Sequence, residues 1–146
     1  MFNPSRDQAR DFLFDVWAKS RASSPLTALE SLTLAIIVEH PEYHAVLADP
    51  ERYRDREWKP EGGETNPFLH LSMHLAIEEQ LSIDQPPGIR VAVEALARRR
   101  DSEHAARHDV MDCLAEVIWQ AQRNGAGFDN AAYLDCLSKK SGVREV

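Results

Sequence analysis

At 146 residues, with 43% apolar and 28% charged residues, the chain has room for a buried core and the composition of an ordinary globular protein. A formal net charge of −7 excludes non-specific attraction to a phosphate backbone. The opening MFNPSRDQAR lacks the charged-then-apolar layout of a secretion signal, and the longest apolar run, residues 34–38, is far too short to span a bilayer. The expectation is a cytoplasmic protein with no nucleic-acid and no membrane partner, whose remaining partners are another protein or a second copy of itself.

Helical periodicity dominates the chain, and nothing alternates as a half-buried strand does. Ala9, Phe12, Leu13 and Val16 make one stripe behind a start at Asn3-Pro4 or at Ser5, the latter with Gln8 completing a capping box. Leu26, Leu29, Leu32 and Ile36 make a second stripe that His40 continues, and Pro41 ends that helix or opens a short one with His40 as its cap. A polar stretch at about 49–65, with Pro60-Glu61-Gly62-Gly63, reads as the longest loop. NPFLHLSMHLAIEEQ (66–80) then starts a long helix with Asn66 at the N-cap and Pro67 at N1.

After the turn SIDQPPGI, the residues Ile89, Val93 and Leu96 form a short amphipathic helix. It ends in Arg98-Arg99-Arg100, cations that suit a solvated helix C-terminus. Asp101 or Ser102 caps a further helix through Val110, Leu114, Val117 and Ile118, unless one helix runs on from 88. Asp129 caps the last, with Phe128 and Tyr133 placed as a hydrophobic staple. Cys113 and Cys136 form no zinc pattern, and their apolar helical neighbours make buried reduced thiols the expectation. The sum is an all-α, single-domain bundle of five to seven helices over residues 1–146.

All six histidines fall in pairs four residues apart: His40/His44, His70/His74 and His104/His108. Random placement in a chain of this length gives about 0.2 such pairs. On a helix, positions i and i+4 share a face, so two imidazoles can offer lone pairs to one ion. Each pair also leads into an apolar stripe and has a carboxylate nearby, with Glu78 four residues beyond His74 and Asp112 four beyond His108. Imidazole with carboxylate suits iron or zinc, and facing helices of bundles commonly build such sites. The expected ligands are His70, His74, His104 and His108, then His44, Glu78 and Asp112, with His40 last because Pro41 turns its side chain from that of His44. Glu78 is rotated by about 80° from His70, so it is expected to orient an imidazole or to reach a second ion.

MFNPSRDQAR, EHPEYH (39–44), NPFLHLSMHLAIEEQLSIDQPPGI (66–89), MDCLAEVIWQAQRNG and YLDCL together resemble the bacterial family known as domain of unknown function 1841. That resemblance spans nearly the whole chain and implies a small helical protein, with no activity or ligand set to carry over. Two functions of different class follow from the residues. The first is an uncharacterised metal-binding bundle holding one or two transition-metal ions, with affinity falling below about pH 6 as imidazoles protonate. The second is a metal-free interaction module whose histidines form satisfied hydrogen-bond networks, displaying Tyr53 and Trp58 to a partner.

Overall fold

The computed structural model describes residues 5–59 and 63–142, and every regular element among them is helical. The order is α1 (Arg6–Arg21), α2 (Ala28–Val38), a 3-10 turn (Pro41–Tyr43), α3 (His44–Leu47), α4 (Pro50–Tyr53), α5 (Pro67–Ile83), α6 (Ile89–Arg100), α7 (Glu103–Asn124) and α8 (Asn130–Ser141). The all-α class holds, with eight α-helices among the described residues where the sequence suggested five to seven. The excess lies in the one-turn helices α3 and α4, which are too short to show a period in sequence. Asp49 opens α4 by accepting from the Arg52 N–H at 3.4 Å, so the stretch read as loop from 49 begins as a turn of helix. Pro60, Glu61 and Gly62 of that reading, and the alternative start at Asn3-Pro4, lie outside the described residues.

Side chains near each start set most helix boundaries. Ser5 with Gln8 and Thr27 with Glu30 form reciprocal capping boxes at α1 and α2. Asn66 Oδ1 accepts from the N–H groups of Phe68 and Leu69 at 3.0 and 3.2 Å, as its sequence position suggested. Ser102 rather than Asp101 caps α7, because Asp101 sits in the left-handed region at φ 50° and closes α6. The region from 88 is therefore two helices. Asp129 caps α8, and the Phe128 and Tyr133 rings meet edge to face at 5.5 Å.

The chain forms two compact units, Met1–Leu75 and Ala76–Val146, with the boundary inside α5. In the first, Leu13, Phe14 and Val16 of α1 pack with Ile36 and Ile37 of α2, Leu47, and Phe68, Leu71 and Leu75 of α5. Two stripes need correction. Leu29 and Leu32 are 38% and 40% exposed, and α2 instead buries Glu30, Thr33, Ile36 and Ile37. The substitution works because Lys19 Nζ lies 2.6 Å from Glu30 Oε2 and Thr33 returns its hydroxyl to the Leu29 carbonyl, so both buried polar groups are satisfied. Tyr53 and Trp58 are half-buried against this core, not displayed from it.

In the second unit Ile89, Val93 and Leu96 are buried as expected, alongside Ala106, Val110, Cys113, Leu114, Val117, Tyr133 and Leu137. Ile118 is 37% exposed, because the buried stripe of α7 runs through 106, 110, 113 and 117. The cysteines also need correction. Cys113 of α7 and Cys136 of α8 are joined in a disulfide, their Cα atoms 5.8 Å apart. Apolar neighbours announce burial in a sequence, but only the pairing of two helices brings the sulfurs together. The bond removes one support for a reducing, cytoplasmic setting.

Candidate metal centre

The end of α2 is built from histidine. Pro41 bars helical geometry at the residue before it, so His40 leaves the helix at φ −126°, ψ 64° with its N–H still on the Ile37 carbonyl at 2.9 Å. Helix C-termini leave carbonyls without intrahelical donors. Two carbonyls of this terminus accept from the Glu39 and His40 N–H groups and also face imidazoles: His40 Nδ1 is 2.8 Å from Ile36 O, and His44 Nε2 is 2.9 Å from Ile37 O. A carbonyl only accepts, so each of those ring nitrogens carries the proton. In the neutral ring, the lone pair of His40 is then at Nε2 and that of His44 at Nδ1.

His40 is 2% exposed and His74 is 3% exposed, while His70 is half-buried. His40 Nε2 faces His70 Nε2 at 3.2 Å. The His40 ring meets those of His70 and His74 at 5.0 and 4.6 Å, and the α5 pair meet each other at 4.9 Å. One ring nitrogen from each of the three lies within 4.8 Å of the others. Two nitrogens on one tetrahedral ion, each about 2.05 Å from it, stand about 3.3 Å apart. The His40–His70 spacing already matches that. The cluster has the donor set to hold a metal ion.

His40, ranked last from sequence, therefore sits against both α5 imidazoles. The His44 ring stacks on Trp17 at 4.4 Å. In the second unit, the rings of His104 and His108 lie 4.3 Å apart on α7, and His108 Nδ1 is 3.1 Å from the His104 carbonyl. His104 is exposed and His108 half-buried. Glu78 Oε1 accepts from Arg107 Nε at 2.7 Å, an ion pair within the second unit, and Asp112 is exposed.

A family model described as Domain of unknown function (DUF1841) matches residues 5–139. The chain belongs to the DUF1841 family. No curated protein and no solved structure matches it.

Two residues of this DUF1841 chain were missed in sequence. Tyr43 lies parallel to His40, with centroids 5.7 Å apart, and edge-on to His70 at 5.7 Å. Burial, and then the Glu42 charge, push its phenol above the ordinary value, so the neutral form dominates beside the imidazoles. Its place one turn of 3-10 helix after His40 was the available signal. Arg10 is the second: it occupies the apolar stripe of α1 and is only 3% exposed. Among the described residues, no helix of this DUF1841 chain is long and apolar enough to cross a membrane.

Proposed function

We propose that this protein binds a transition-metal ion, of the zinc or iron type, through His40, His70 and His74. The observation that carries the reading is the His40 Nε2 lone pair. It is fixed by the Nδ1–H bond to the Ile36 carbonyl and faces a second imidazole at 3.2 Å. Ligand histidines commonly donate their other ring nitrogen to a backbone carbonyl in this way, which sets both tautomer and ring orientation. An all-imidazole set suits zinc, and equally iron, copper or nickel, more than magnesium or calcium. When bound with a position left open, such an ion supplies Lewis acidity and activates water. The residues themselves orient: the α2 carbonyl aims His40, the i,i+4 spacing on α5 aligns His70 with His74, and Tyr43 shields the ring of His40.

A second reading has its own support, because 3.2 Å also fits a proton on His70 Nε2 donated to His40 Nε2. The protein would then be a metal-free module with a satisfied polar core. Elemental analysis of untagged protein, before and after reconstitution with zinc and with ferrous iron, separates the two. Stoichiometric metal is expected, and a content near zero after both reconstitutions would refute the metal reading.

A further inference from the structure

A cleft of about 420 Å³ opens in the first unit between α1, residues 57–59 and the start of α5. Its wall contains a buried guanidinium. Arg10 donates through Nη1 to the carbonyls of Arg54 and Arg56 at 2.8 and 2.7 Å. Its guanidinium carbon lies 4.6 Å from the centroid of Phe68 and 5.4 Å from that of Trp58. No carboxylate pairs with it among the described residues. Burial, and then the charge of Arg6, lower its pKa, and the opposing charges of Asp7, Asp55 and Glu57 do not reverse that shift.

A buried charge with no carboxylate in direct contact is costly, and the carbonyl and ring contacts, with the charges of Asp7, Asp55 and Glu57, offset only part of that cost. Nη1 takes the structural bonds, so the Nε and Nη2 donors make no hydrogen bond among the described residues. Those two nitrogens form the edge of the fork that matches a carboxylate bidentately. The other charges in the lining favour the same sign of ligand. Arg6 and Lys59 are cationic, and the one acid there, Glu57, is already 3.6 Å from Arg6. This local excess of positive charge occurs in a chain of net charge −7. Beside it, the half-buried Trp58 and the 58%-exposed Leu69 present apolar surface, and Phe68, only 3% exposed, backs the wall from the core. A mostly apolar cleft of this volume with a few convergent polar groups is the ordinary form of a small-molecule site.

We propose that this cleft binds a small organic anion, with its carboxylate on Arg10 and its apolar body along Trp58, Phe68 and Leu69. The site is independent of the metal reading and uses none of the histidines.

The test uses the full chain and naphthalene-2-carboxylate, followed by calorimetry and by NMR of the Trp58 indole N–H, assigned with Trp58→Phe. The neutral naphthalene-2-carboxamide and inorganic phosphate are the comparison probes. The acid should bind at least tenfold tighter than the amide and shift the Trp58 signal. Ser72→Trp, which fills the cleft from α5, should abolish binding. The double variant Arg6→Gln/Lys59→Gln changes only exposed side chains, so it should fold and weaken the acid several-fold. Arg10→Lys should lower affinity about tenfold if it folds. Equal binding of acid and amide, unchanged binding in Ser72→Trp, or no Trp58 shift with the acid at millimolar concentration would each overturn the proposal. Phosphate binding tighter than the acid would overturn the assignment to a carboxylate.

Discussion

Replacing His40 by Ala tests the metal centre most directly, and its two effects separate by design. The side chain is 2% exposed and its Nδ1 donates to the Ile36 carbonyl at 2.8 Å, so truncation costs about 2 kcal/mol of stability with or without metal, from lost packing and one lost hydrogen bond. The loss of a ligand is a further effect. Structural zinc sites are worth about 10–16 kcal/mol over four ligands, which is about 3 kcal/mol per ligand, or about 100-fold in affinity. At a free zinc concentration about 100 times the parent Kd, binding stabilises the parent by about 2.7 kcal/mol and the variant by about 0.4 kcal/mol. For a chain of this size those gains correspond to roughly 8 °C and 1 °C in Tm. The assay is thermal unfolding of each protein with and without zinc, comparing the metal-induced gain within each variant so that the packing loss cancels. His74→Ala should behave like His40→Ala. A parent-sized gain in His40→Ala would show that His40 is a core residue only. For His104 and His108 the spacing argument remains a proposal from sequence, and their alanine variants in the same assay test it.

Reducing the disulfide between Cys113 and Cys136 should destabilise the second unit by about 3 kcal/mol, the chain-entropy value for a separation of 23 residues. Urea unfolding with and without reductant measures this, and two titratable thiols in unreduced, denatured protein would contradict the bond. Acid should unfold the parent more steeply than Glu30→Gln. The bond from Lys19, and then that from the Thr27 backbone, hold the Glu30 carboxyl below its ordinary pKa. Its contribution is therefore present above the ordinary carboxylate range and is lost as pH falls through the folded pKa. Identical urea midpoint shifts between pH 7 and pH 3 in the two proteins would refute that. Tyr133→Phe removes the 2.7 Å bond from its hydroxyl to Gln80 and should cost about 1 kcal/mol. Because burial raises the Tyr133 pKa, stability should also fall as pH rises beyond about 10, where the unfolded phenol ionises first. Melting temperatures at pH 7 and pH 11 check both effects, and a Tyr133→Phe variant with the parent's pH dependence would contradict the second.

What was legible in the sequence was local. Ser5, Asn66 and Asp129 act within four residues of themselves, so the starts of α1, α5 and α8 could be read directly. The stripe of α2 could not. Burial of Glu30 and Thr33 depends on Lys19 and on a backbone carbonyl, partners that periodicity does not represent. The candidate site divides in the same way. Spacing alone identified His70 and His74 as a pair, because i,i+4 geometry belongs to the helix. His40 was undervalued because Pro41 was weighed only for its effect on His44, whereas the same kink delivers His40 to α5. The disulfide and the buried Arg10 lay beyond reach for a common reason: each needs two segments distant in sequence to be docked before its partners exist.

Local capping has a kinetic consequence. A helix whose first turn is closed by its own N-cap does not wait for distant chain to define where it begins, so nucleation, the slow step of helix formation, is assisted at each start. In the second unit the packed helices α6, α7 and α8 are also consecutive in sequence. Short loops between its helices keep the mean separation of contacting residues small in that unit, the property that goes with folding in microseconds to milliseconds. Substitution of Ser5, Thr27, Ser102 or Asp129 should therefore slow the forward rate where its helix forms early, and otherwise act through faster unfolding.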